Sequence, residues 1–177
     1  ASPDGDYYVV FSGTARLAAC DMDTDGGGWT QVYANDFEDG DASGWTFPTT
    51  SDCGDWSRVL GGYELTSTTE FQNEISAGGI AHSQVVLEMH YLAIDTWDHE
   101  SGYVYINGTG VWSTSYHYLS GGWTDKCGRT DSIDQRTYII ETRSDSSDTI
   151  EIKAGSSLDQ SPDDESFAVD NVKVWIR

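Results

Sequence analysis

The chain has 177 residues and sets 30 acidic against 9 basic side chains, a formal net charge of −21. That balance makes nucleic acid and anionic membranes poor partners, because every phosphate contact would be repulsive. Divalent cations, cationic partners, uncharged sugars or simple solubility in a salty medium remain as reasons for the acidity.

The length suits one domain, or one domain with an N-terminal appendage. Seven Trp, ten Tyr and five Phe stand beside 19 Gly and three Pro, which points to short strands joined by tight turns. No window keeps the apolar period of an α-helix, so long helices are not expected. No apolar run is long enough for a membrane-spanning helix. No secretory leader is visible and residue 1 is Ala, so the segment reads as processed or excised.

Residues 7–11 and 16–22 read as two strands, the second carrying Cys20. They lead into CDMDTDGGGWT at 20–30, where Asp21, Asp23 and Asp25 have the spacing of the first ligands of an EF-hand loop. An EF-hand also needs a bidentate Glu at the end of the loop, where Val32 stands, and flanking helices. The pattern provides neither. The same string resembles the opening of fibrinogen-like domains (CDMxTDGGGWT), as in fibrinogens, ficolins and intelectins. PDGDYY at 3–8 fits where that family has its first strand. The resemblance covers residues 1–34 and then stops, without the rest of a fibrinogen-like lectin domain or its calcium site. The upstream cysteine that pairs with this Cys in the family is not in the chain, so Cys20 is either free or bonded to something outside this segment.

From Asn35 the character changes. NDFEDGDASGW at 35–45 resembles the first strand of jelly-roll sandwiches such as MAM domains and calcium-bearing carbohydrate-binding modules, which open with (D)FEdG…GW. Those domains close with (I/V)D(D/N)(V/I), and SFAVDNVKVWI at 166–176 has that form. The resemblance brackets residues 35–177. It implies that the first and last strands are neighbours and that Glu38 and Asp170 can meet over one ion.

Between these ends the strand signals continue. Residues 59–65 are a strand interrupted by Gly61 and Gly62, and 84–92 form an apolar run suited to a strand buried on both faces. Residues 103–106 and 110–114 flank Asn107-Gly108, a two-residue hairpin signal that also explains the Asn107-Gly-Thr109 glycosylation sequon. Residues 137–142 and 148–154 form another alternating pair. Regular short strands of this kind read as a sandwich. Three cysteines without a paired CxxC do not make a zinc site. Cys53 and Cys127 both lie in Gly-flanked turns and are candidates to pair across two loops.

Two sets of carboxylates suggest Ca2+, which takes six to eight hard oxygens. The first is Asp36, Glu38 and Asp41 with Asp170, a structural ion clamping first strand to last; the alternative is an exposed acidic turn. The second is Asp95, Asp98 and Glu100 with Asp163, Asp164 and Glu165. Both of its halves precede strands and can share one rim over an ion open to a ligand hydroxyl, or be two solvated loops that never meet. Trp97, Trp112, Tyr116, Tyr118 and Trp123 cluster around these loops. Trp112 alternates with Val111 and reads as core, whereas Trp97, Tyr116, Tyr118 and Trp123 are the candidates to stack on a sugar ring. His82, His90, His99 and His117 are scattered, and neither GxSxG nor HExxH occurs. No enzyme is expected.

The expectation is therefore an all-β jelly-roll β-sandwich over 35–177, preceded by a short fibrinogen-like β segment over 1–34. Its function is expected to be that of a secreted, calcium-dependent binding or adhesion module at an extracellular surface, with carbohydrate as the favoured ligand. One alternative is a structural subunit of an extracellular assembly, joined through Cys20 or an exposed edge strand. Another is an accessory domain of a polysaccharide-active enzyme.

Overall fold

Runs of β-branched and aromatic residues, cut by turns rich in Gly, Asp and Asn, fold here as strands. The computed structural model describes residues 2–120, 124–130 and 132–177. Among them the strands are β1 Gly5–Phe11, β2 Thr14–Asp21, β3 Trp29–Asn35, β4 Thr50–Asp52, β5 Arg58–Gly61, β6 Phe71–Ser76, β7 Gln84–Asp95, β8 Asp98–Ile106, β9 Thr109–His117, β10 Gln135–Ser144, β11 Thr149–Ser156 and β12 Glu165–Ile176. Among the described residues helical structure is limited to single 3-10 turns at Thr24–Gly26, Gly54–Trp56 and Tyr118–Ser120. None of the described helices is long and apolar enough to cross a membrane.

The strands make two sheets, the larger of eight strands and the smaller of four. In the larger, β12 lies along β7, which in turn pairs with β10. The other edge of β12 is shared: β5 pairs with Ala168 and Val169, and β3 with the stretch from Val172 to Ile176. Beyond them lie β4 on one branch and the β2–β1 hairpin on the other. The smaller sheet runs β6-β11-β8-β9. Between the sheets Phe37, Phe71, Leu87, Met89, Ile106 and Phe167 are wholly buried. The run in β7 is buried on both faces at its C-terminal half, because the loop carrying Cys53 covers Leu92 and Ile94 from outside.

Two stretches differ from the sequence reading. The stretch expected as the first jelly-roll strand, 35–45, forms turns instead. Asn35, Asp36, Asp39 and Asp41 each accept, through their own side chain, the backbone N–H two residues on, at 2.7, 3.2, 2.8 and 2.8 Å. Such local bonds compete with a ladder, and Phe37 has φ +58°. The N-terminal strand that pairs with β12 is β3, so residues before 35 are hydrogen-bonded into the main sheet, and residue 34 falls inside that strand. Second, the 21–26 loop, assigned from sequence to the N-terminal segment 1–34, is closed by Arg177 from the other end of the chain, whose guanidinium stacks 4.3 Å from the Trp29 ring and donates to the Asp25 and Gly27 carbonyls at 2.5 and 3.4 Å.

The Asn107-Gly108 turn forms as read, with φ +46° and +70°. The Asn107 side chain is engaged on both sides, donating to Asp145 at 2.9 Å and accepting the Glu151 N–H at 2.7 Å. Cys20 is a free, buried thiol. Cys53 and Cys127 are bonded, their Cα atoms 4.6 Å apart across 74 positions of sequence. Closing a loop of that length contributes about 4 kcal/mol in the chain-entropy picture. The double variant Cys53→Ala/Cys127→Ala is accordingly expected to be less stable by about that free energy in equilibrium urea denaturation, with an m-value no smaller than wild type because its unfolded chain is less constrained.

Candidate functional site

Alternation in the smaller sheet sends Val104, Ile106, Ile150 and Ile152 into the core and leaves Tyr103, Tyr105, Glu151 and Lys153 on the outer face. Tyr103 and Tyr105, two positions apart on β8, meet edge to face at 5.6 Å. Gly155 of β11 stands opposite Tyr103. A Cβ there would lie 2.7 Å from the Tyr103 ring, so the glycine is what lets that ring lie against the sheet.

Polar groups frame the two rings. Tyr103 Oη donates to Glu70 at 3.0 Å, and Lys153 Nζ lies 3.3 Å from the same carboxylate and 5.0 Å over the Tyr105 ring. Beside them Gln72 donates to Glu151 at 2.9 Å. Burial and the Glu70 carboxylate push the Tyr103 hydroxyl up to about 12, so it stays a neutral donor. An open groove of about 340 Å³ runs between Tyr103, Tyr105, Val111, Trp112 and Ser113. Apolar ring faces beside fixed donors and acceptors are what a sugar ring with one C–H face and peripheral hydroxyls requires.

The aromatic residues expected to stack on sugar lie elsewhere. Trp97 is wholly buried and donates through Nε1 to the Ser166 carbonyl at 2.8 Å. Tyr116 is buried as well, sharing a hydrogen bond with Thr137 at 2.8 Å and stacking on Tyr91. Both are core residues rather than ligand-facing ones: Trp97 meets Tyr91 and Tyr116 edge to face, and Tyr116 stacks on Tyr91, inside the sandwich. Tyr118 is half-buried and stacks on His117. Trp123 lies outside the described residues. The signal for Tyr103 and Tyr105 was present in the sequence as two outward positions of one alternating strand.

No three carboxylates of the first set bring oxygens within 4.8 Å of one another, although the Glu38 charge acts on Asp170. Asp36 and Asp41 hold their own turns, and Glu38 accepts the Arg58 N–H at 3.4 Å. Asp170 is buried with both oxygens taken by Asn171, at 2.6 and 2.7 Å. Burial, with the Glu38 charge nearby, pushes the Asp170 carboxyl up to about 6, against the Asn171 bonds that favour its charged form. The second set is partly assembled: Asp98, Glu100 and Glu165 each bring one oxygen within 4.8 Å of the others. Asp164 instead pairs with Arg129 at 2.6 Å, and Asp163 accepts the Ser161 hydroxyl.

Asp95 turns to another neighbour. It is wholly buried, accepts the Arg129 N–H at 3.0 Å and donates its own N–H to Asp134 at 3.0 Å. Asp134 in turn accepts from Lys126 and Cys127 at 2.7 and 2.9 Å, so two carboxylates hold the disulfide loop by its backbone. Gly128 closes over this pair, where a Cβ would lie 2.5 Å from Asp95 Oδ2.

No family model matches the chain, and no curated protein matches it. Among solved structures it is similar to the carbohydrate-binding module TmCBM27, described for specific mannan recognition. The TM-score is 0.51 at 11% identity, over 84% of this chain and 98% of that one. The fold is a jelly roll of the carbohydrate-binding-module kind. Similar too are CBM27-1 of Caldicellulosiruptor saccharolyticus in complex with mannohexaose (TM-score 0.47, 11% identity, 80% and 94% covered) and the K3 cleaved adhesin domain of Lys-gingipain from Porphyromonas gingivalis w83 (0.48, 15%, 81% and 98%). The fibrinogen-like resemblance of residues 1–34 finds no support in this comparison.

Within this jelly roll the buried Asp95 has a consequence for stability. Burial, opposed in part by the Arg129 N–H, pushes its carboxyl from 3.8 up to about 7. The folded chain therefore holds a proton that the unfolded chain has released, so this residue's contribution is present at low pH and is lost as pH rises through about 7. In chelator-containing buffer the melting temperature is expected to fall between about pH 5 and about pH 8, and Asp95→Asn to reduce that slope. Equal slopes in the two proteins, by thermal unfolding, would refute the assignment.

Proposed function

We propose that this chain is a non-catalytic, extracellular carbohydrate-binding module that holds its ligand on the outer face of the smaller sheet. The observation that carries the reading is the pair Tyr103 and Tyr105, with Gly155 beneath the first and Glu70, Gln72, Glu151 and Lys153 around them. Ring faces take the C–H side of a pyranose, while the carboxylates, amide and ammonium meet its hydroxyls. A net charge of −21 selects against anionic glycans and favours uncharged polysaccharide. The fold shared with a module described for mannan recognition supports that class. A disulfide across 74 positions supports an oxidising, extracellular setting. Calcium dependence belongs to the same reading, through a cation at the start of β8, the strand that carries both tyrosines.

A second reading, self-association in a surface assembly, is favoured by one feature. On the β1–β2 hairpin at the end of the larger sheet, Tyr8, Val10 and Leu17 are 78, 60 and 57% exposed. Binding to mannan, cellulose oligomers and galactan, measured by affinity electrophoresis and calorimetry, separates the two. Tyr103→Ala and Tyr105→Ala are each expected to weaken polysaccharide binding about tenfold with little change in melting temperature. Wild-type affinity in the double variant would sink the sheet-face site. Mass that grows with concentration and returns to monomer in Val10→Lys would instead support assembly.

A further inference from the structure

A wholly buried carboxylate is stable only if both oxygens find partners or a proton or cation supplies what is missing. Glu165, the first residue of β12, is 0% exposed. Its Oε1 accepts from Gln160 Nε2 at 3.1 Å, while Oε2 is buried without a hydrogen-bond partner. Two further carboxylates converge on it from β8: Asp98, exposed, and Glu100, half-buried, with one oxygen of each of the three within 4.8 Å of the others. Alternation along a strand places positions 98 and 100 on one side, although the β8–β9 pairing shifts register between Asp98 and Ser101, and His99 has φ +108°. One Glu100 oxygen is already used, accepting the Asp98 N–H at 2.6 Å.

The side chains whose charges bear on Glu165 are Glu100, Asp98, Asp159 and Asp164, all acidic. Asp164 is partly offset by its pair with Arg129. Repulsion of this kind, at a site with one wall sealed and one side open to water, is relieved by a small hard cation.

We infer that Asp98, Glu100 and Glu165 form a divalent-cation site of the calcium class, with water completing the shell on the exposed Asp98 side. Three carboxylates are the ligand chemistry Ca2+ prefers, and a shell that mixes a buried with an exposed ligand suits its tolerance of irregular geometry better than the octahedron Mg2+ demands. A second acidic group, Asp4, Asp21 and Asp23, differs in kind. Asp4 and Asp23 are exposed and Asp21 is half-buried, Asp4 accepts the Met22 N–H at 2.6 Å, and Asp21 accepts those of Asp23 and Thr24 at 3.1 and 2.8 Å. It has no buried oxygen awaiting a partner. The inference deepens the calcium dependence of the proposed function and rests on that reading for any effect at the sugar face. The site itself is tested by cation binding alone.

The experiment is calorimetric titration of CaCl2 into metal-stripped protein, paired with melting curves in EGTA and in excess Ca2+. Wild type is expected to bind Ca2+ and melt higher with it. Glu165→Gln is expected to lose affinity about tenfold or more and yet, in EGTA, to melt no lower than wild type, because the neutral amide can keep the Gln160 partner and adds no charge to the acidic cluster. That second readout separates loss of the site from loss of the fold. Asp98→Asn, at the exposed ligand, is expected to weaken Ca2+ binding with its EGTA melting point unchanged. No calorimetric binding to wild type overturns the site, as does a calcium-induced rise in melting temperature that is the same in wild type and Glu165→Gln. Polysaccharide binding that persists after such a failure leaves the carbohydrate reading standing. Calcium bound by wild type with no polysaccharide bound does the reverse.

Discussion

The larger sheet depends on how β12 shares its edge. Along one side it is bonded to β7; along the other it is bonded to β5 near its start and to β3 near its end. The exchange between those two partners takes place at Asp170-Asn171. There the register against β7 shifts, Asn171 takes φ +51°, and the Asp170 carboxylate closes on the Asn171 backbone and side-chain amides. A strand can change neighbours only where some of its N–H groups leave the ladder, and those groups must still be bonded. The buried Asp170 does this from within the same chain segment. The sequence VDNV that closes the domain therefore has a structural role in this exchange of partners.

The same economy explains much of the acidity. Asp21, Asp36, Asp39, Asp41, Asp52 and Asp145 each accept a backbone N–H two residues on, and Asp134 and Asp95 do similar service across longer distances. Short acidic side chains favour such turns because they mimic a backbone acceptor. A chain with many tight connections therefore accumulates carboxylates as a by-product of its topology. Against that background Glu165 stands apart, since it holds no turn; one of its oxygens, like Oδ2 of Asp95, is buried without a hydrogen-bond partner.

Legibility followed the range of the interactions. The hairpin at Asn107-Gly108, the apolar β7 and the alternating β8 and β11 were readable because each rests on neighbours in sequence. The loop at 35–45 was misread as a strand, since its apolar Phe37 and Trp45 lie in the core although the backbone between them is a string of side-chain-closed turns. Trp97 and Tyr116 were misplaced for the opposite reason. They stand among polar residues in the chain, and only the closing of the two sheets shows that their rings meet Tyr91 inside.

By itself the sequence determined the class of the fold, the turn chemistry, the Cys53–Cys127 pairing as a candidate and the repulsion of anionic partners. Those follow from side-chain periodicity, local hydrogen bonding and net charge, none of which needs a partner strand. Tertiary structure decided which carboxylates converge and which rings face water. Glu165 meets Asp98 and Glu100 only because β12 and β8 begin at the same end of the sandwich. Tyr103 lies flat only because the register of β11 against β8 places Gly155 opposite it. Registers between strands dozens of residues apart are set by the packing of the whole core, so no local pattern in the chain could have specified them.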